Sequence, residues 1–291
     1  MTLVVGQVTP DIRFLIADTL LSFETYEARK TVQKSHALKI HILNPDTAVA
    51  FAGDVATSLN IIANLNAELR ADPQMSLCDR LFELYKERSR DCDFLVLQLA
   101  AEGKNLAHIT SERLSYRNRA YIGDCDEYKR MMELRHPYDP PKMQMVQQPD
   151  GTFHTVPLVT SEGEREFEEI SRALEELTGR RAQGRQQGSV GTICGCIVRV
   201  VNARISGKLE YLQSGEVSIS PWEGKSGFTF LASNSDIRGI GIYYRSGKMG
   251  FLFIVGDSEY CRQEYAETLN QFVAMARMTY GLTLTGVGFD C

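Results

Sequence analysis

The sequence predicts an α+β protein, on three observations. Short apolar runs come in neighbouring pairs joined by Pro-Asp turns. Two stretches between residues 54 and 88 repeat apolar residues at helical spacing. The last third of the chain returns to strand character. Blocks of hairpins and blocks of helices, without strict alternation, read as α+β.

The first hairpin pairs Leu3-Val4-Val5-Gly6 with Phe14-Leu15-Ile16-Ala17-Asp18 around Thr9-Pro10-Asp11. A second pairs Lys39-Ile40-His41-Ile42-Leu43 with Ala48 to Asp54 around Asn44-Pro45-Asp46. Proline fixes φ and aspartate bonds its own backbone, so both turns have a physical cause. Asp54 then reads as the N-cap of a helix whose apolar stripe is Val55, Leu59, Ile62, Leu65 and Leu69, ended at Ala71-Asp72-Pro73. Ser76 to Asp79 resembles a capping box and opens a second helix on Leu77, Leu81 and Leu84. Phe94 to Ala100 is a buried strand, turned at Glu102-Gly103 into Leu106 to Thr110. Arg113 to Ile122 carries alternating apolar and basic residues and leads into Gly123-Asp124-Cys125.

Residues 136–161 interrupt this order as an insertion: a Pro-rich segment at His136 to Pro141, then a polar hairpin around Pro149-Asp150-Gly151. Ser161 begins a charged helix with the stripe Phe167, Ile170, Leu174 and Leu177, and Gly179 is read as its stop. Arg180, Arg181 and Arg185 with their glutamines form a solvated link, too few cations to argue a nucleic-acid site. Ser189 to Val201 is a strand, and its Cys194 and Cys196 read as small core residues rather than metal ligands. Strands follow at Lys208 to Gln213, Gly215 to Ser220, Gly227 to Ser233, Gly239 to Tyr244 and Met249 to Val255. A last helix is expected from Ser258, carrying Tyr265, Leu269, Phe272 and Ala276, and a closing strand over Leu282 to Val287.

Composition bounds the function. With 291 residues, 43% hydrophobic, the chain can bury the core of one elaborated domain. A net charge of −5 disfavours a general nucleic-acid or anionic-membrane binder. No apolar run approaches the roughly 20 residues of a membrane span, and the first apolar stretch lacks the basic flank of a signal peptide. Seven cysteines without a C-x-x-C spacing suggest reduced thiols in a cytoplasm. The chain contains no phosphate-cradling G-x-x-x-x-G-K-[ST], no G-x-S-x-G and no H-E-x-x-H, so neither a cofactor nor a metal is expected.

Thr2 stands out chemically. A threonine hydroxyl needs a base to become a nucleophile, and its own α-amine can serve once nothing precedes it. That amine has a reference pKa of about 7.7–8.0, suited to general-base work at neutral pH. Initiator methionine is commonly removed before a small residue, which would free Thr2.

The spacing around Thr2 resembles that of the proteasome β-subunit family, including its bacterial two-component relatives, within the N-terminal nucleophile hydrolases. Asp18 follows Thr2 by sixteen residues in an Ile16-Ala17-Asp18 setting, and Gly53 follows Lys39 by fourteen in Ala52-Gly53-Asp54. The resemblance is clear over residues 2 to about 70. It implies a four-layer αββα sandwich whose core is about 2–205, with the insertion and a β-rich extension at about 206–291 that either completes the sheets or forms an appended lobe. It implies that Thr2 is the nucleophile, that Lys39 supplies a positive charge beside it, that Asp18 fixes Lys39, and that the Gly53 N–H stabilises the oxyanion. The segment between Asp18 and Lys39 is longer than the family's, which leaves Lys34 as a rival lysine. Asp124 stands where the family has a serine near the nucleophile's amine; alternatively it caps the segment that follows. Gly191 and Cys194 also differ from the family's aspartate and serine. The implied function is a threonine-dependent amide or peptide hydrolase, with a catalytically inactive binding or assembly subunit as the alternative. The implied partners are a peptide or amide substrate, further copies of the chain, and an ATP-dependent unfoldase.

Overall fold

Both Pro-Asp turns form as the sequence requires. In the first, Thr9 N–H donates to the Ile12 carbonyl at 2.9 Å and the Thr9 hydroxyl bonds Asp11 and Ile12. The computed structural model describes residues 3–21, 36–88, 92–99, 103–140, 143–147, 153–157, 160–182, 197–202, 206–212, 216–218, 227–245, 247–257 and 259–286. The order is β1 (Leu3–Val8), β2 (Arg13–Ala17), β3 (Ile40–Asn44), β4 (Thr47–Gly53), α1 (Val55–Ala71) and α2 (Leu77–Arg88). Next come β5 (Cys92–Gln98), β6 (Leu106–Ile109), β7 (Leu114–Tyr116), β8 (Arg119–Gly123), α3 (Cys125–Glu133), β9 (Met143–Gln147), β10 (Phe153–Pro157) and α4 (Glu162–Ala182). The chain then runs through β11 (Val198–Asn202), β12 (Leu209–Tyr211), β13 (Glu216–Ser218), β14 (Gly227–Asn234), β15 (Arg238–Tyr244), β16 (Met249–Ile254), β17 (Arg262–Tyr265) and α5 (Leu269–Tyr280).

The strands make three antiparallel five-stranded sheets, ordered β12-β11-β2-β1-β8, β3-β4-β5-β6-β7 and β13-β14-β15-β16-β17, with β9 and β10 paired as a separate ribbon. Side chains alternate across each strand, and in β1, β2, β4 and β5 both faces are apolar because both are covered. In β1, Leu3 and Val5 share a cluster with Phe14 of β2, Met131 of α3, and Phe167 and Leu174 of α4. Val4 faces the opposite way, into a cluster with Leu15, Ile40, Ala50 and Leu95. In β4, Val49 and Phe51 meet Ile61, Leu65, Leu81 and Tyr85 of α1 and α2, while Ala48, Ala50 and Ala52 face the central cluster.

That central cluster overturns the expected four-layer αββα sandwich. It also contains Phe230, Ala232, Ile240, Ile242, Phe251 and Phe253, so all three large sheets share one core. The third sheet buries its other face under α5, through Leu231, Tyr243, Leu252, Phe272 and Ala276. Of the two readings of the stretch after residue 205, it completes the sheets rather than forming an appended lobe: β12 joins the first sheet by pairing Val200 with Tyr211, and β14 to β16 fill the middle of the molecule. The physical reason is the row Ile240, Ile242, Phe251 and Phe253, whose apolar area needs a partner and finds it on the inner faces of the other two sheets.

The alternating stretch Arg113 to Ile122 supplies two strands: β7 ends one sheet and β8 ends another, and the chain crosses between them at Arg117-Asn118. One local expectation changes. The last helix begins at Leu269 rather than near residue 258, because Arg262–Tyr265 pairs with β16 and the Thr268 side chain supplies the cap by accepting from Gln271 N–H. Near the expected closing strand, the described contact is one bridge between Ala232 and Thr285. The hairpin expected within residues 136–161 is the β9–β10 ribbon.

His41 in β3 is 4% exposed and its Nε2 donates to the Leu38 carbonyl at 2.8 Å. Nδ1 has no partner, and burial pulls the ring pKa down to about 4. A pKa lowered on folding means that the unfolded chain binds the proton first, so stability falls as pH drops below about 6.5 and levels off below about 4. Urea melts from pH 7.5 to 4 are expected to show a loss of about 3 kcal/mol from this residue. The slope should flatten in His41→Gln; an unchanged slope in that variant assigns the acid loss to other groups.

Candidate functional site

β2 ends at Ala17, and Asp18 turns inward directly after it with no exposed surface. Its Oδ1 accepts from the Leu3 backbone N–H at 3.1 Å, which ties the carboxylate to the start of β1. Lys39 immediately precedes β3 and is also fully buried. Its Nζ donates to the same Asp18 Oδ1 at 2.8 Å and to the Leu20 carbonyl. Phe51 N–H binds the Lys39 carbonyl at 3.1 Å, so the lysine is held to β4 by its backbone and to β2 by its head group. Because the ammonium and the Leu3 amide share one oxygen, they lie within two hydrogen-bond lengths of each other. Burial holds the Lys39 pKa below its ordinary value, against the opposing pull of Asp18.

Gly53 ends β4 opposite Cys92, with φ at 103°, a conformation that L side chains rarely adopt. Asp54 follows as the N-cap of α1, accepting from Thr57 N–H at 2.7 Å as the sequence predicts. Lys39 and Gly53 thus sit toward the same end of the adjoining strands β3 and β4. Gly123 pairs with Leu3 across the β1–β8 ladder and has φ at 98°. Asp124 follows it and caps α3, its Oδ1 accepting from Asp126 N–H at 2.9 Å and Glu127 N–H at 3.2 Å. The capping alternative for Asp124 is therefore realised. Thr2, Lys34, Gly191, Cys194 and Cys196 lie outside the described residues.

Two neighbours of the ion pair do not stand out in the sequence. Thr19 is fully buried, and its hydroxyl lies 3.1 Å from His36 Nδ1. Burial, and next the charge of Lys39, pull the His36 pKa down to about 4, so the ring is neutral at pH 7. Among the described residues the Leu20–His36 bridge and the Ala37 N–H bond to the Thr19 carbonyl bring these residues together, and no periodicity announces them. Beside Gly123 opens a cleft of about 430 Å³ whose walls include Asp93, His108, Arg117, Tyr121 and Tyr128. Burial pushes the Asp93 carboxyl up, while Tyr121 and Tyr128 stack at 3.9 Å between ring centroids. Among the described residues no group of three or more His, Cys, Asp or Glu could hold a metal, and no helix is long and apolar enough to cross a membrane.

Compared with known proteins, the sequence matches no family model and no curated protein.

Proposed function

We propose that the chain is a threonine-dependent amide or peptide hydrolase whose nucleophile is Thr2, freed by removal of Met1. The observation that carries this reading is the buried Asp18–Lys39 pair bonded to the first residue after Thr2. A buried ion pair is weak as a source of stability, because desolvation offsets much of the attraction. Lys39 and the neighbouring His36, both held below their ordinary pKa values by burial, gather at one strand end, as groups at chemical sites do.

In this mechanism the Thr2 α-amine takes the proton from its own hydroxyl, and the oxygen attacks the substrate carbonyl carbon. The Lys39 charge disfavours protonation of that amine and favours the alkoxide. Asp18 holds Lys39 in place. The Gly53 N–H donates to the oxyanion as the carbonyl bond opens; losing one such donor typically costs on the order of 3 kcal/mol. The amine then protonates the departing nitrogen, and water releases the acyl group from Thr2. Asp124, one residue beyond the Leu3–Gly123 pair, contributes a carboxylate to the same end of the sheet. The cleft lined by Asp93, His108 and the Tyr121–Tyr128 stack adjoins Gly123 and fits the peptide chain of a substrate. On this reading the protein works in the cytoplasm as a homo-oligomer, and an ATP-dependent unfoldase presents its substrates.

The test is an intact-mass measurement paired with labelling by a peptide epoxyketone. The expected result is a mass lacking methionine, one adduct per chain, and loss of both label and turnover in Thr2→Ala, the latter by about a thousandfold or more. Retention of methionine, with no label on the wild-type chain, overturns the enzyme and leaves the binding or assembly subunit.

A further inference from the structure

A second cleft, of about 290 Å³, opens between α1, β3 and the third sheet, and its walls include Asn66, Arg70, Asp236, Arg238, Asp257 and Tyr280. Arg238 begins β15, and Ile240 and Ile242 follow it on the same face, inside the shared core. Its guanidinium therefore enters the molecule along an apolar row. The Nε is buried and has no hydrogen-bond partner. A buried guanidinium N–H without an acceptor is unfavourable, and most such groups in folded proteins are paired.

The nearby carboxylates do not meet this need. Asp257 is occupied: Arg262 Nη2 donates to its Oδ1 at 2.8 Å and Arg262 Nε to its Oδ2. Asp236 is exposed on the rim and leaves the Arg238 Nε unpaired. On the facing wall, Asn66 and Arg70 lie one helical turn apart and so share a face of α1. Asn66 is 9% exposed, and a Cβ built on Gly256 would come within 3.6 Å of its Nδ2, so the amide borders the cleft wall. Three donor side chains thus line one concave space, Arg238 half-buried with its Nε out of solvent and Arg70 exposed.

We propose that this cleft binds a small metabolite through a phosphate or carboxylate group. The planar fork of Arg238 grips the oxyanion, and Arg70 and Asn66 donate to it. The site is separate from the Thr2 chemistry and stands whether or not that chemistry is correct.

Thermal unfolding and calorimetric titration of the full chain test this, with inorganic phosphate and acetate run separately against sodium chloride at equal ionic strength. One of the two anions is expected to raise Tm by about 5 °C at roughly a hundredfold excess over Kd. A response to phosphate assigns a phosphate-bearing ligand, and a response to acetate a carboxylate. Arg238→Met should abolish the response while keeping or raising the Tm of the free protein, since an unpartnered buried donor is removed. Arg70→Ala, at an exposed position, should keep the fold and weaken binding about tenfold. No response beyond chloride to either anion overturns the proposal. So does a response that survives both substitutions.

Discussion

Replacing Asp18 by Asn is expected to lower stability by about 3–5 kcal/mol and Tm by roughly 10 °C at pH 7. The amide keeps the shape and the acceptor oxygen for Leu3 N–H, but Lys39 is left as a buried cation without its counter-charge. The lysine then sheds its proton on folding while the unfolded chain keeps it, so the deficit should shrink as pH rises toward 10. Urea melts at pH 7 and 9.5 measure both effects. Asp18→Asn melting like the wild type at pH 7 would mean that the pair is not desolvated. The double variant Asp18→Asn, Lys39→Met should recover most of the stability, since apolar replacements of buried ion pairs are often neutral or better. It should still be inactive if Lys39 tunes the nucleophile, with turnover down by about 10²–10³-fold. Full activity in the double variant would remove Lys39 from the mechanism.

A fragment of residues 1–205 is expected to show no cooperative thermal transition. It lacks β12, which pairs with β11, and it lacks Phe230, Ile240, Ile242, Phe251 and Phe253, which pack against Ile40, Ile42 and Leu95. Removing one buried phenylalanine typically costs about 3–5 kcal/mol, a large part of the roughly 5–15 kcal/mol that holds a domain together. Losing the whole sheet exceeds that reserve. Circular dichroism melts and dye binding check the outcome. A fragment with a sharp transition and no dye binding would show that the third sheet is dispensable. Phe230→Ala in the full chain is the milder version and should remain folded with a lowered Tm.

The parts of the fold that were legible in the sequence are those fixed by local chemistry. Thr9-Pro10-Asp11 and Asn44-Pro45-Asp46 specify hairpins, and the Asp54 cap with its apolar stripe specifies α1. Period-2 alternation says which residues share a face but not which sheet that face meets. That is why the row from Ile240 to Phe253 read as an extension although it lies in the common core. The division of β7 from β8 was hidden for a similar reason: Arg117-Asn118 carries no Gly or Pro, and the crossing is imposed by pairing with two different sheets. At the candidate site, Asp18 and Lys39 were visible through a preserved spacing, and the structure joins them. Thr19 and His36 were not, because what brings them beside the pair is a non-local bridge and the Ala37–Thr19 backbone bond.

The register of the first sheet also sets an order of events during synthesis. β2 takes its outer neighbour from Val198–Val201, so the hairpin that begins at Leu3 stays open on that side until about 200 residues have been made. At bacterial or eukaryotic elongation rates this is a delay of roughly 10–40 s. Throughout that interval the outer edge of β2 presents an unpaired row of backbone donors and acceptors, open to pairing with the wrong strand until β11 arrives.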